Sequence, residues 1–284
     1  MNILVTGCNG QLGRHIQALA PRSVHRWLFT DVEQLDITSR EAVEQFVQAH
    51  QIQLIVNCAA YTNVDRAEEE ESVALRINAE AVGHLADAMA RVQGHLIHIS
   101  TDYVFGGTLY NTPCTESMQP NPTGAYGRTK LAGEQAAARC NSLIFRTSWL
   151  YSEYGRNFLL TMLRLTAERP EVKVVFDQAG TPTYAGDLAA AIYKIIENSD
   201  FLNHTGIFNF ANEGVCSWYD FAHEIARRSG HTQCRVLPCH SNEFPSPVKR
   251  PAYSVLDKTK FKTTFNQEIP HWTDALQRCM ANIK

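Results

Sequence analysis

Residues 2–13, NILVTGCNGQLG, carry the chain from a strand into a helix through three glycines. NILVT (2–6) is a short apolar run with the length and composition of a buried strand. Gly7, Gly10 and Gly13 follow at once, and helical spacing begins at residue 11 and runs to about 20. A helix N-terminus offers free N–H groups and the positive end of its dipole to a pyrophosphate, and a Cβ at such glycines would hold the phosphate away. The spacing is G-x-x-G-x-x-G, not the commoner G-x-G-x-x-G, but the strand–turn–helix setting is the one a dinucleotide motif requires.

The same alternation continues downstream. Strands are predicted at 27–31, 54–60, 95–100 and 142–148, with helices at 39–49, 72–92 and 123–139 between them; Thr38 or Ser39 can cap the helix at 39–49. Fully apolar strands separated by helices specify a parallel sheet covered on both faces. The expected fold is therefore α/β, a Rossmann-type doubly wound parallel sheet over 1–150 with a smaller C-terminal α/β substrate domain formed mainly by 151–284. Helices at 156–168, 185–197 and 217–229 and strands at 172–176 and 206–210 are expected in that second part, and segments of 156–210 are expected to return to the first. Residues 106–124 are rich in turn formers, and a loop that long usually serves a site.

Composition narrows the function classes. Among 284 residues 44% are apolar and 19% charged, with a net charge of −3. That balance speaks against a nucleic-acid or membrane-surface binder, which would carry a basic patch. The run Glu68-Glu69-Glu70-Glu71 is read as a solvated helix face. Eight cysteines without a CxxC pair read as buried thiols in a reducing compartment. Cys234, Cys239 and His240 lack a second ligand pair at zinc spacing, so no metal is expected. With no signal-peptide pattern at the start and no apolar run near the ~20 residues of a membrane helix, a cytoplasmic protein is expected.

Two groups of residues point to a redox site. Asp31 lies 24 residues past Gly7, at the end of the second strand, where a carboxylate can accept from a ribose hydroxyl and favour NAD. Arg14 and Arg40 are near enough in sequence to tolerate a 2′-phosphate, so NADPH and NADH both stay open. Asp36-Ile37 would line the adenine side, and Ala60-Tyr61-Thr62 ends the third strand facing the same crevice. The fourth strand ends in Ser100-Thr101-Asp102, and AYGRTKL (125–131) follows, with Tyr126 and Lys130 on one helical face. An ammonium ~4 Å from a phenol at an effective dielectric of ~20 is worth ~4 kcal/mol, enough to bring the phenol from about 10 towards about 7. Thr101, Tyr126 and Lys130 are the expected catalytic residues.

Here the chain resembles a known family. TGxxGxxG, a Thr after the fourth strand and YxxxK are similar to the extended short-chain dehydrogenase/reductases. More narrowly, VNCAAYTNVDRAE, ISTDYVFGG, YGRTKLAGE, IFRTSWLY, FDQAGTPT and RPAYSVLDKTKF resemble the dTDP-4-dehydrorhamnose reductase family over nearly the whole chain. The resemblance implies that Tyr126 protonates a C4 oxygen as hydride arrives from the nicotinamide. It implies that Lys130 holds the ribose hydroxyls and that Thr101 bonds the reacting carbonyl. Asp102 and Trp149 would bind the deoxysugar, Gly10, Gln11 and Leu12 would meet the cofactor phosphates, and Arg250 would approach the diphosphate of a dTDP-sugar. Where some members carry an acidic residue at a metal-linked dimer contact, this chain has His15, which leaves monomer or homodimer open. Two other readings remain at this level: a reductase of another nucleotide-linked 4-keto-6-deoxysugar, and a non-catalytic regulatory subunit that binds a dinucleotide.

Overall fold

The computed structural model describes residues 1–108, 111–244 and 246–283, so Leu109 and Tyr110 of the 106–124 loop lie outside it. The first half alternates as the apolar periodicity implies. β1 (Asn2–Thr6) leads to α1 (Gln11–Leu19), β2 (Arg26–Thr30) to α2 (Arg40–Ala49), and β3 (Leu54–Asn57) to α3 (Glu71–Leu75) and α4 (Ala81–Arg91). β4 (His95–Thr101) leads to α5 (Ala125–Ala137), and β5 (Asn141–Thr147) follows. Then come β6 (Leu150–Tyr151), α6 (Phe158–Glu168), β7 (Glu171–Val175), β8 (Ala179–Gly180), β9 (Thr183–Tyr184) and α7 (Ala185–Glu197). β10 (Gly206–Asn209), β11 (Cys216–Ser217), α8 (Trp218–Ser229), β12 (Arg235–Cys239), α9 (Thr259–Phe265) and α10 (Trp272–Ala281) complete the chain.

Six strands form one parallel sheet in the order β10-β5-β4-β3-β1-β2. Because side chains alternate along a strand, Ile3 and Val5 of β1 enter one core with Leu12, Ile16 and Ile192, while Leu4 enters the other with Val43, Ile55 and Leu85. Chain order reverses between β1 and β3, the point where doubly wound sheets open a crevice at the carboxyl ends of their strands. The late residues divide. β10 joins the sheet beside β5, α7 packs on α1, and Phe261 and Phe265 of α9 fill the first core. Tyr151, Leu159, Phe221, Trp272 and Leu276 build a separate core around α6, α8 and α10.

Two expectations are corrected. The single helix predicted at 72–92 is interrupted by a π turn at Arg76–Glu80. Its buried Asn78 side chain accepts from Tyr61 N (2.9 Å) and donates to Tyr61 O (3.1 Å) and to Thr129 Oγ1 (3.2 Å). A Cβ at Gly133 would stand 2.1 Å from Asn78 O, so α5 meets this turn backbone against backbone. The residues of 76–80 are compatible with an ordinary helix, and the wider turn coincides with the bonds of Asn78 to distant partners.

Nor is the acidic run simply a solvated face. Glu68 Oε1 accepts from Ala125 N at 2.6 Å, Glu70 accepts from the Tyr61 hydroxyl, and Glu71 forms a bidentate pair with Arg128. α5 has Gly124 at its N-cap and no capping side chain of its own. Glu68, from 57 residues earlier, supplies that carboxylate.

Candidate active site

The carboxyl ends of β1, β3, β4 and β5 open into a cavity of about 890 Å³. At one end it is lined by Gly7, Gly10, Gln11 and Leu12, with Asp31, Asp36 and Ile37 beyond them. Ala60 and Thr62 form one wall, and Thr101, Asp102, Tyr126 and Lys130 stand at the centre. Trp149 and Arg250 close the other end. The fold thus brings together most of the residues singled out in the sequence. Gly13, Tyr61 and the two arginines, Arg14 and Arg40, are the exceptions.

The glycines serve different ends. Gly7 has φ +63°, and a Cβ there would fall 2.6 Å from Ala59 N. Gly13 lies under the turn, where a Cβ would meet Cys8 Cα and Gly7 O at 2.6 Å, so it permits close packing and does not face the cavity. Gly10 caps α1 with no side chain over the first-turn N–H groups, which is the cradle a pyrophosphate needs. Ser152 Oγ (3.0 Å) and Asn157 Nδ2 (3.1 Å) both donate to Gln11 Oε1, tying a later loop onto this turn. Gly7→Ala should therefore cost about 1–3 kcal/mol in backbone strain alone, with more from the clash. Thermal unfolding and NADPH titration should both register it; an alanine variant with unchanged melting temperature and coenzyme affinity would contradict the close approach.

Asp31 accepts from Asn9 N (3.1 Å) and Val32 N (2.9 Å) through its carboxylate. Of the two cations expected to tolerate a 2′-phosphate, Arg40 is turned away onto Asp87 at 3.0 Å, and Arg14 donates to Asn9 O beside the turn. Arg76, which the sequence gave no reason to choose, lines the cavity from the π turn. Tyr61 points elsewhere, its hydroxyl donating to Glu70.

At the centre, the ammonium of Lys130 does not turn toward the phenol of Tyr126. It is buried and donates to Ile99 O at 2.6 Å, and burial lowers its pKa to about 8 against the opposing pull of Glu134. The Tyr126 phenol is densely surrounded, and burial raises its pKa well above the ordinary tyrosine value, only partly offset by a hydrogen bond with Thr101. The expected depression towards 7 is corrected: desolvation outweighs the i,i+4 argument. Thr101 Oγ1 also donates to Asp102 Oδ1 (3.1 Å) and accepts from Tyr103 N (3.2 Å), which fixes the hydroxyl. Asp102 is 1% exposed, accepts from Ser254 Oγ at 2.6 Å, and is pushed by burial to about 6.

Arg250 reaches the cavity from the late segment, donating to Asp65 (2.8 Å) and to the Tyr103 hydroxyl (3.1 Å). Trp149 holds a left-handed backbone with φ +48°. His15 lies 3.2 Å from Glu153 between the rings of Tyr154 and Tyr184, and burial lowers its pKa. Among the described residues no three His, Cys, Asp or Glu side chains gather as metal ligands. Besides Arg76, sequence reasoning missed Trp218 and Arg156 as lining residues; neither lies within a motif the sequence offered.

Comparison with known proteins finds relatives along the whole chain. The family described as RmlD substrate binding domain matches residues 1–284. A dTDP-4-dehydrorhamnose reductase of Mycolicibacterium smegmatis is 40% identical over 99% of this chain and 85% of its own length. The crystal structure of a dTDP-4-dehydrorhamnose reductase from Clostridium acetobutylicum superposes with a TM-score of 0.94 at 42% identity, covering 99% of each chain. That of the Bacillus anthracis dTDP-4-dehydrorhamnose reductase, in complex with NADP, gives 0.92 at 39% identity, covering 99% of this chain and 98% of its own.

Proposed function

The chain belongs to the dTDP-4-dehydrorhamnose reductase family, and from that membership we propose how its own residues reduce the C4 ketone of dTDP-4-dehydro-L-rhamnose to give dTDP-L-rhamnose. One observation carries the reading: Thr101, Asp102, Tyr126 and Lys130 share a single cavity with the glycine turn at one end and Trp149 and Arg250 at the other. The coenzyme is NADPH or NADH, and its reduced nicotinamide supplies the hydride. Gly7 and Gly10 leave room for its phosphates, and the first-turn N–H groups of α1 face them. Asp31 and Asp36 take the adenosine end. Lys130, buried between β4 and α5, holds the nicotinamide ribose.

Tyr126 is the acid. Its raised pKa keeps the phenol protonated across the neutral range, so the proton is present when negative charge develops on the C4 oxygen. As the C4 carbon accepts hydride, the phenol proton passes to that oxygen and the phenolate is reprotonated from solvent. Thr101, held in place by the bond its Oγ1 accepts from Tyr103 N, turns its one hydroxyl proton from Asp102 to the same oxygen when the substrate is bound. Asp102 accepts from a sugar hydroxyl, Trp149 packs against the sugar, and Arg250 meets the diphosphate. Among the described residues no helix is long and apolar enough to cross a membrane; we place the enzyme in the cytoplasm, as a monomer or homodimer.

The pH profile tests two of these roles. Asp102, at about 6 against an ordinary 3.8, holds its proton more tightly folded than unfolded. Its contribution to stability therefore falls as pH rises from about 4 to 6, and the ionised form is the stronger acceptor toward a sugar hydroxyl. The Lys130 ammonium is present below about 8 and lost above it. kcat/KM should fall tenfold per pH unit below about 6 and again above about 8. Asp102→Asn should remove the acid limb; an acid limb that survives it assigns that titration to another group.

Consumption of NADH and NADPH with dTDP-4-keto-6-deoxy-L-sugar generated in situ tests the function as a whole. Formation of dTDP-L-rhamnose supports the reading, and the ratio of rates gives the coenzyme preference. Tight coenzyme binding without turnover would overturn it in favour of another nucleotide sugar or a regulatory role.

A further inference from the structure

Trp149 and Trp218 come from distant parts of the chain, one two residues past the end of β5 and the other at the first residue of α8. Their rings stack with centroids 3.6 Å apart and planes 11° from parallel, and both line the cavity at its sugar end. Phe158 closes against Trp218 with a ring separation of 4.6 Å. On the other side, Gly180 lies so near that a Cβ would come within 2.6 Å of the Trp149 ring. Trp218 is itself set by a capping box, in which Ser217 and Asp220 bond each other's backbone N–H groups at the start of α8.

Trp149 occupies a left-handed backbone conformation, φ +48°, that side chains rarely adopt. Its indole bears on Gly180 and is stacked by Trp218, both distant in the chain. An indole pair at van der Waals distance moves as a unit, because either ring would leave the other with an unfilled face. A substrate held a fraction of an ångström out of line at its sugar end presents C4 poorly to Tyr126.

We propose that Trp218 is a positioning residue of the sugar site, acting through Trp149: it holds that indole at the angle that sets the deoxysugar against Thr101 and Tyr126. The inference rests on the reading of Trp149 as a sugar-binding residue. It adds a second aromatic, 69 positions away in the sequence, to the elements that give the enzyme its selectivity for a deoxysugar.

Steady-state kinetics with the dTDP-4-keto-6-deoxysugar, NADPH titration and circular dichroism test it together. Trp218→Ala and the space-filling Trp218→Leu should each raise the sugar-nucleotide KM by tenfold or more, with a smaller loss of kcat. The coenzyme Kd should stay within twofold. Trp218→Phe, which restores a stacking ring, should recover most of the loss. Combining Trp218→Ala with Trp149→Ala should be no worse than Trp149→Ala alone, since the first acts through the second. The exciton signal of the paired indoles should disappear in every variant that removes one.

A Trp218→Leu enzyme that has lost that signal yet keeps a wild-type KM overturns the proposal and leaves Trp149 untouched. Additive losses in the double variant overturn it too. A Trp149→Ala enzyme with unchanged KM overturns the reading beneath it. If Trp218→Ala fails to fold, Trp218→Leu carries the same comparison.

Discussion

Tyr126→Phe should lower turnover by about 10³-fold while NADPH still binds with near wild-type affinity, since general acid catalysis typically contributes 10²–10⁴. The ring is kept, and with it the edge-on contact with Tyr103 at 5.5 Å; only the proton and its hydroxyl are lost. Because burial raises the Tyr126 pKa, the wild-type phenol holds its proton across the neutral range. Its pKa should therefore not appear as a limb of the profile between pH 6 and 8. Single-turnover hydride transfer isolates the step. A phenylalanine variant that keeps even a tenth of the wild-type rate would move the acid to another group, and Thr101, hydrogen-bonded to the same phenol, would be the first to examine.

The second large effect is structural and lies under the site. Glu134 on α5 receives both Nε (2.8 Å) and Nη2 (2.7 Å) of Arg146 on β5, and Ser100 Oγ donates to it from β4. The two side chains are 3% and 1% exposed, and the guanidinium lies 4.9 Å over the Phe105 ring. The two elements that deliver Thr101, Tyr126 and Lys130, β4 and α5, are thereby joined to each other and to β5 at one carboxylate. Glu134→Ala leaves a guanidinium buried without its counter-charge and should cost about 3–5 kcal/mol. At about 2–4 °C per kcal/mol for a chain of this size, the melting temperature should drop by about 10 °C.

The paired change Glu134→Leu with Arg146→Met removes both charges and should lie close to wild type in stability, as buried ion pairs often contribute little beyond an apolar replacement. Denaturant unfolding of the three proteins decides the matter. A single variant that loses less than about 1 kcal/mol would mean that water reaches the arginine and the pair is not closed.

Much of this was legible from the chain. The period of the apolar residues located all six strands of the sheet, because a doubly covered strand must be apolar on both faces and so announces itself locally. Gly7 and Gly10 were legible because a close phosphate and a left-handed turn both exclude a side chain, a constraint written at single positions. Tyr126 and Lys130 were legible as a pair at helical spacing after a strand end, and the resemblance of the surrounding motifs gave each a role.

What the chain could not state was where side chains go when they are buried. Lys130 and Tyr126 share a helical face, yet the ammonium reaches back to Ile99 O on β4 and desolvation governs the phenol. Glu68 reads as one of four solvated acids and is the cap of α5. Arg40 reads as a phosphate partner and belongs to Asp87, while Arg76 and Trp218 carried no local mark and line the cavity. Spacing along a sequence reports only which residues share a face of one element. The sequence by itself determined the six sheet strands, their order and the candidate reacting residues; the tertiary structure alone decided partners, protonation and the shape of the sugar end, because burial and contact arise between segments that are far apart in the chain.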